Sequence, residues 1–129
     1  MRDAVVIVIQ RAGRIVAIKR AASIAKAGYW SPPTGRLEEG ESQADAVRRE
    51  ALEEIGLAVI PVDKVWECLT DDGHWRLHWW LASSEEEILH PDPSEVAEAR
   101  WVTTAEFLHL SPIFDQHRDF FLNHYDAIK

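Results

Sequence analysis

The segment from Ser42 to Gly56 can form one kind of element only. Ser42 suits an N-cap, with Asp45 at the capping-box distance, and Gly56 suits the residue just past a helix end. Between them Ala44, Val47, Ala51 and Ile55 recur at helical spacing. The reading is a helix from about Gln43 to Ile55 with a single apolar stripe. Such a stripe must be buried against a second layer.

The rest of the chain supplies that layer. Ala4-Val5-Val6-Ile7-Val8-Ile9 is β-branched and too short for a helix, so it reads as a buried strand. A turn at Arg11-Ala12-Gly13-Arg14 leads to a second strand, Ile15 to Ile18, and the two suggest a hairpin. Residues 21–34 read as a loop that ends in Trp30-Ser31-Pro32-Pro33-Thr34, stiffened before Gly35 by its prolines. Leu57 to Leu69 is strand-rich but broken by Pro61, and Asp71-Asp72-Gly73 is a turn. His74 to Ala82 alternates and is aromatic, as strands are. After a polar loop from Ser83 to about Glu98, a short strand is expected at Ala99 to Val102. Thr103 and Glu106 make a capping box, and Ser111-Pro112 fits an N-cap and first-turn pair for a last helix ending near Tyr125. Strands and helices interleave, so the expected class is α/β (α+β), a mixed central sheet with helices on its faces.

Composition narrows the function classes. The chain has 129 residues, which implies a single domain over 1–129, long enough to bury a core without staples. Its 14 Lys+Arg against 22 Asp+Glu give a net charge of −8, which argues against a general nucleic-acid binder with a basic stripe. The lone Cys68 cannot form an internal disulfide, so a reduced, cytoplasmic setting is expected. The longest apolar stretch, Ala4 to Ile9, is far too short to cross a bilayer, and no signal peptide or membrane anchor is read.

The chemistry lies on the capped helix. Glu50 and Glu54 are one turn apart, and Glu53 lies on the neighbouring row, all off the apolar stripe. A solvated acidic face is one reading, since exposed like charges one turn apart cost only about 0.2–0.5 kcal/mol. A site for a hard divalent cation is the other. Mg²⁺ takes one or two carboxylates from a protein and fills its shell with waters and phosphate oxygens. In a partly enclosed cluster, a carboxylate pair at about 5 Å repels by roughly 3 kcal/mol at an effective dielectric of 20, and a divalent cation removes that penalty.

The longer pattern decides between them. Gly35, five residues, Glu41, seven residues, then Arg49-Glu50-Ala51-Leu52-Glu53-Glu54-Ile55-Gly56-Leu57 resembles the Nudix box of the Nudix (MutT-type) hydrolases. At about 6% usage per residue type, seven specified positions coincide by chance on the order of 10⁻⁹ per window. The resemblance implies an α/β/α sandwich and hydrolysis of a nucleoside diphosphate linked to another group, with Mg²⁺ or Mn²⁺. One departure is Thr34, where the family usually has a second glycine.

Residue by residue, the resemblance makes Glu50 and Glu54 the principal metal ligands, with the Gly35 carbonyl nearby and Glu53 on a further metal. Arg49 can hold the glutamates in one orientation through its fork, or be a surface ion pair. Glu41 either assists at the helix N-terminus or complements the dipole there. Water would attack a phosphorus, with Glu53, Glu95 and Glu98 as candidate general bases and Glu98 placed first. Arg20 lies where relatives hold a phosphate, and Phe114, beside Asp115 and Gln116, lies where purine-sanitising relatives read the base. Packing is the plainer reading of Phe114.

Family subgroups carry a proline or a tyrosine beyond the box as marks of ADP-ribose or dinucleoside-polyphosphate hydrolysis. The stretch Thr70 to Trp75 has neither. The expected substrate is therefore a small nucleotide, first a nucleoside triphosphate, with an oxidised purine among the options. A non-catalytic nucleotide-sensing module is the alternative of another class, and a homodimer is a common arrangement in the family. The six histidines show no metal-ligand spacing and read as surface or strand residues. Trp79-Trp80 should send one ring to each face of its strand.

Overall fold

The computed structural model describes residues 1–125. Its strands are β1 (Arg2–Arg11), β2 (Arg14–Arg20), β3 (Trp30–Ser31), β4 (Thr34–Arg36), β5 (Ile60–Leu69), β6 (Trp75–Ser83) and β7 (Val96–Val102). The helices are α1 (Gln43–Ile55), α2 (Thr104–His109) and α3 (Asp115–Asp119), the last running into a π-helical turn at Phe120–His124. They form a mixed α+β fold with one seven-stranded sheet, ordered β3-β2-β1-β6-β5, with β4 on β1 and β7 on β2. Only β1 and β6 pair in parallel among these ladders.

The apolar run lies at the centre of this sheet because both of its faces are covered. Val5, Ile7 and Ile9 pack under α1 with Ala46, Val47, Ala51 and Ile55, so Ala46 takes the place in the buried stripe expected for Ala44, which is only half-buried. Ala4, Val6 and Val8 face the other way, toward Trp79, Phe107, Phe120 and Phe121. Alternation splits the tryptophan pair as expected: Trp79 is fully buried in the second core, and Trp80 packs on the α1 side and donates to Gln43 Oε1.

α1 begins and ends where its caps place it. Ser42 Oγ accepts from the Asp45 N–H at 3.1 Å, and Gly56 closes the helix at φ 64°. The Thr103–Glu106 box forms with both of its halves. Pro61 leaves β5 continuous, and the strand absorbs the disturbance as register shifts after Pro61 and after Lys64.

Three expectations need correction. The loop read over residues 21–34 contains β3, which pairs with β2, and its last residue opens β4. β7 starts at Val96, not Ala99, because Val96 is buried and pairs with Arg20. Ser111-Pro112 does not cap the last helix. The Pro112 carbonyl accepts from the Trp30 N–H at 2.9 Å and Ile113 bridges to Trp30, so this stretch edges the sheet, and α3 starts after Phe114.

Trp79 anchors the second core, stacked on Phe120 with centroids 4.2 Å apart. Trp79→Ala should therefore cost about 3–5 kcal/mol of stability. Chemical denaturation of the variant beside wild type reads this loss.

Candidate active site

α1 crosses above β4, and that crossing makes the site. An added Cβ on Gly35 would lie 1.9 Å from the Glu50 carboxyl carbon, so only a residue without a side chain lets Glu50 lie against the strand. One turn on, Glu54 Oε1 accepts from the Thr34 N–H at 3.0 Å. The threonine in place of a second glycine is accommodated within β4. Glu50 and Glu54 are thereby buried to 9% and 5% exposure, a rare state for acids without full pairing.

Arg49 organises the opposite edge of the cluster. Its Nε and Nη2 donate to the two Glu41 carboxylate oxygens at 2.7 and 2.9 Å, a bidentate fork. Nη1 donates to Glu50 at 2.8 Å and Glu53 at 3.1 Å, and Nη2 also reaches the Arg36 carbonyl at 2.9 Å. The Arg49 hydrogen bond holds the Glu41 carboxyl below the usual range. Of the two readings of Arg49, the orienting fork describes the geometry.

The buried acids behave differently. Desolvation pushes Glu50 up to about 7, against the pull of Arg49. It pushes Glu54 up to about 9, helped by repulsion from Glu50 and Glu95. Glu95 reaches the pair through its turn: the Asp92 N–H donates to the Glu54 carbonyl at 2.9 Å, and the Glu95 carbonyl accepts from Ala21 at 3.0 Å. Glu98 lies elsewhere. It is exposed on β7, opposite Lys19, and pairs with Arg100 at 3.0 Å. Of the two loop acids, Glu95 is the one whose charge acts on both helix carboxylates.

Among the described residues no three His, Cys, Asp or Glu side chains already converge on one metal-sized point. The cluster is centred on the Arg49 guanidinium instead. The donors nevertheless fit a hard divalent cation that keeps most of its shell for water and phosphate oxygens. Glu50 and Glu54 are two desolvated acids one turn apart, and Gly35 gives them close backbone approach. Glu53, with its side chain 58% exposed, lies at the rim.

The remaining predicted residues are dispersed. Arg20 donates Nε–H to the Ala25 carbonyl at 2.8 Å, and its charge acts on both Glu54 and His117. Phe114 is half-buried, with ring centroids 4.6 Å from Tyr29 and 5.0 Å from His117, so it packs at the start of α3. His117 corrects the surface reading of the histidines. It is 3% exposed, edge-on to Trp79, and burial lowers its pKa to about 3. The Thr34 amide and the Asp92 turn went unread because backbone donors leave no mark in a motif.

Both raised pKa values lie above the ordinary 4.5, so the folded state binds more protons than the unfolded chain. Stability of the metal-free protein should therefore fall as pH rises from about 4.5 toward 9, the span of the Glu54 shift. Glu54→Gln should flatten this decline and saturating Mn²⁺ should oppose it. Thermal melts in a chelator across that range, repeated with the ion, read both effects.

The profile of the NUDIX domain matches residues 1–123. An m7GpppN-mRNA hydrolase (NUDT17) from Danio rerio is 31% identical over 120 residues, covering 76% of this chain and 40% of that protein. A CTP pyrophosphohydrolase from Escherichia coli K12 is 39% identical over 57 residues, covering 44% of this chain and 42% of that protein. The chain thus spans less than half the length of these curated relatives. The crystal structure of a MutT protein from Methanosarcina mazei Go1 shares the fold at TM-score 0.81 and 22% identity, covering 94% of this chain and 90% of that one. A MutT NUDIX hydrolase from Burkholderia pseudomallei superposes at TM-score 0.75 with 25% identity, covering 94% and 95%. Glycine-strand and carboxylate-helix together with this match place the chain in the NUDIX domain family.

Proposed function

We propose that the protein is a divalent-cation-dependent nucleotide pyrophosphohydrolase, with a nucleoside triphosphate as substrate and a nucleoside monophosphate and pyrophosphate as products. The observation that carries this reading is the pair Glu50 and Glu54, buried one turn apart against Gly35. Two desolvated acids kept at this cost are best explained by a cation that charges them.

Glu50, Glu54 and the Gly35 carbonyl would hold a Mg²⁺ or Mn²⁺ ion, with Glu53 at the rim for a second. Such an ion would supply neutralisation of the phosphate charge and polarisation of the reacting oxygens. The protein's own groups do the rest. Glu95 accepts a proton as water oxygen bonds to phosphorus and the bridging P–O bond breaks, with Glu53 the other base in range. Arg49 keeps Glu41, Glu50 and Glu53 in one orientation. Arg20 serves as a phosphate anchor, its charge already acting on Glu54.

The relative named a CTP pyrophosphohydrolase supports a nucleoside triphosphate. The relative named an m7GpppN-mRNA hydrolase supports a second reading, a larger diphosphate-linked substrate. The net charge of −8 favours a free nucleotide over an RNA body. The free nucleotides include oxidised purines, ADP-ribose and dinucleoside polyphosphates, and a nucleotide-sensing module without turnover is the competing class. A nucleotide panel assayed for released phosphate and pyrophosphate separates these readings.

Glu50→Gln and Glu54→Gln should each lower turnover by orders of magnitude and weaken Mn²⁺ binding while the protein stays folded. Unaltered activity in either would overturn the assignment. Gly35→Ala should also displace Glu50 and weaken Mn²⁺ binding by tenfold or more, read by calorimetric titration.

A further inference from the structure

The carboxylate pair meets a second segment of the chain at the end of α1. Gly56 closes the helix, and an added Cβ there would lie 2.8 Å from the His90 Cβ. A residue without a side chain thus lets residues 90–92 lie directly on the helix end. The last carbonyls of a helix find no partner within it. Here the His90 N–H donates to the Ile55 carbonyl at 2.8 Å, and the Asp92 N–H donates to the Glu54 carbonyl at 2.9 Å. Pro91 and Pro93, on either side of Asp92, stiffen this stretch.

The Asp92 carboxylate shapes the turn that follows. Its Oδ1 accepts from the Ser94 N–H at 3.0 Å and from Ser94 Oγ at 2.8 Å. These bonds hold the Asp92 carboxyl below its usual range, so the acceptor is ionised at neutral pH. The Asp92 carbonyl accepts from the N–H groups of Glu95 at 3.1 Å and Val96 at 2.8 Å. The far side of the turn is tied as well. The Ala21 N–H donates to the Glu95 carbonyl at 3.0 Å, and Ser23 Oγ donates to the Ser94 carbonyl at 2.9 Å. Ala21 directly follows β2 and Arg20. Residues 92–95 therefore bridge the end of α1 and the end of β2.

The Glu95 side chain has no such ties. Among the described residues its carboxylate forms no hydrogen bond or ion pair, whereas Glu98 is held by Arg100. Glu95 is exposed, yet its charge acts on both Glu50 and Glu54. An acid that is open to water and close to the pair, with no side-chain partner, owes its place to its backbone. That backbone is set by Asp92.

We propose that Asp92 is a positioning residue for the hydrolysis: the turn it shapes keeps the Glu95 carboxylate, the proton acceptor, at the mouth of the Glu50–Glu54 pair. Asp92 acts through Glu95, with its own carboxylate turned to Ser94. The role of Glu95 as base rests on the proposed function, whereas the hold of Asp92 on the turn does not.

Steady-state kinetics of the whole chain, on the nucleotide it hydrolyses fastest and with saturating Mn²⁺, test this. Asp92→Ala should lower kcat by about tenfold and leave KM and Mn²⁺ affinity within about twofold of wild type. Asp92→Asn should recover most of the rate, because an amide Oδ1 still accepts from both Ser94 donors. Residues that act as a unit are non-additive. Asp92→Ala should therefore cost less than about twofold once Glu95→Gln is in place. An unaltered kcat in Asp92→Ala, no recovery in Asp92→Asn, equal losses in both Glu95 backgrounds, or a tenfold fall in Mn²⁺ affinity would each overturn the inference. Asp92 lies outside both cores, so the variants keep the fold.

Amide hydrogen exchange of the metal-free protein needs no turnover. Asp92→Ala should speed exchange at Ala21, Glu95 and Val96 by tenfold or more and leave the amides of β1 as in wild type. Unchanged exchange at these three positions sinks the inference whatever the activity. Exchange that depends on Asp92, in a protein that hydrolyses no nucleotide, sinks the proposed function and leaves the hold of Asp92 on Glu95 standing.

Discussion

The close approach of α1 to β4 is the constraint on which the rest depends. Glu50 lies where a Cβ on Gly35 would be, and Glu54 closes on the Thr34 amide. Neither contact survives a shift of the helix by one residue, because the carboxylates would then rotate away from the strand. The apolar stripe prevents that shift. Ala46, Val47, Ala51 and Ile55 are fully buried against Val5, Ile7 and Ile9, so the core fixes the rotation of the helix and thereby aims its acids. Packing on one side of a helix thus sets the chemistry on the other.

Burial gives the site its character and its cost. The same desolvation that raises Glu50 and Glu54 makes them a poor place for negative charge unless a cation is present. Arg49 offsets part of this for Glu50, and its bidentate grip on Glu41 keeps it at the rim. Among the described residues Glu54 has the Thr34 amide and the more distant charge of Arg20. Two acids one turn apart are thus unequally supported.

Some parts of this arrangement were legible in the residues. Ser42, the stripe and Gly56 determine a helix through local hydrogen bonds and periodicity alone, and α1 spans Gln43–Ile55 as read. Thr103 and Glu106 work the same way. Where long-range pairing competes with local signals, the reading failed. Ser111-Pro112 has the chemistry of a helix start, yet the partner it meets is Trp30, about 80 residues away, and it joins the sheet. Val96 sits in a polar stretch, and its burial in the core under α1 together with its pairing to Arg20 draws it into β7. Glu95 and Glu98 are alike in sequence. Which one reaches the carboxylates depends on the Asp92 turn docking on the end of α1.

By itself, the sequence determined the capped helix, its spaced acids, the glycine ahead of it and the buried central strand. Each of these follows from bonds and periods that act over a few residues. The tertiary structure alone decided the depth to which Glu50 and Glu54 are buried and the choice of Glu95 over Glu98 as their neighbour. Desolvation and through-space charge depend on what other segments bring to the same point, and no local pattern encodes that.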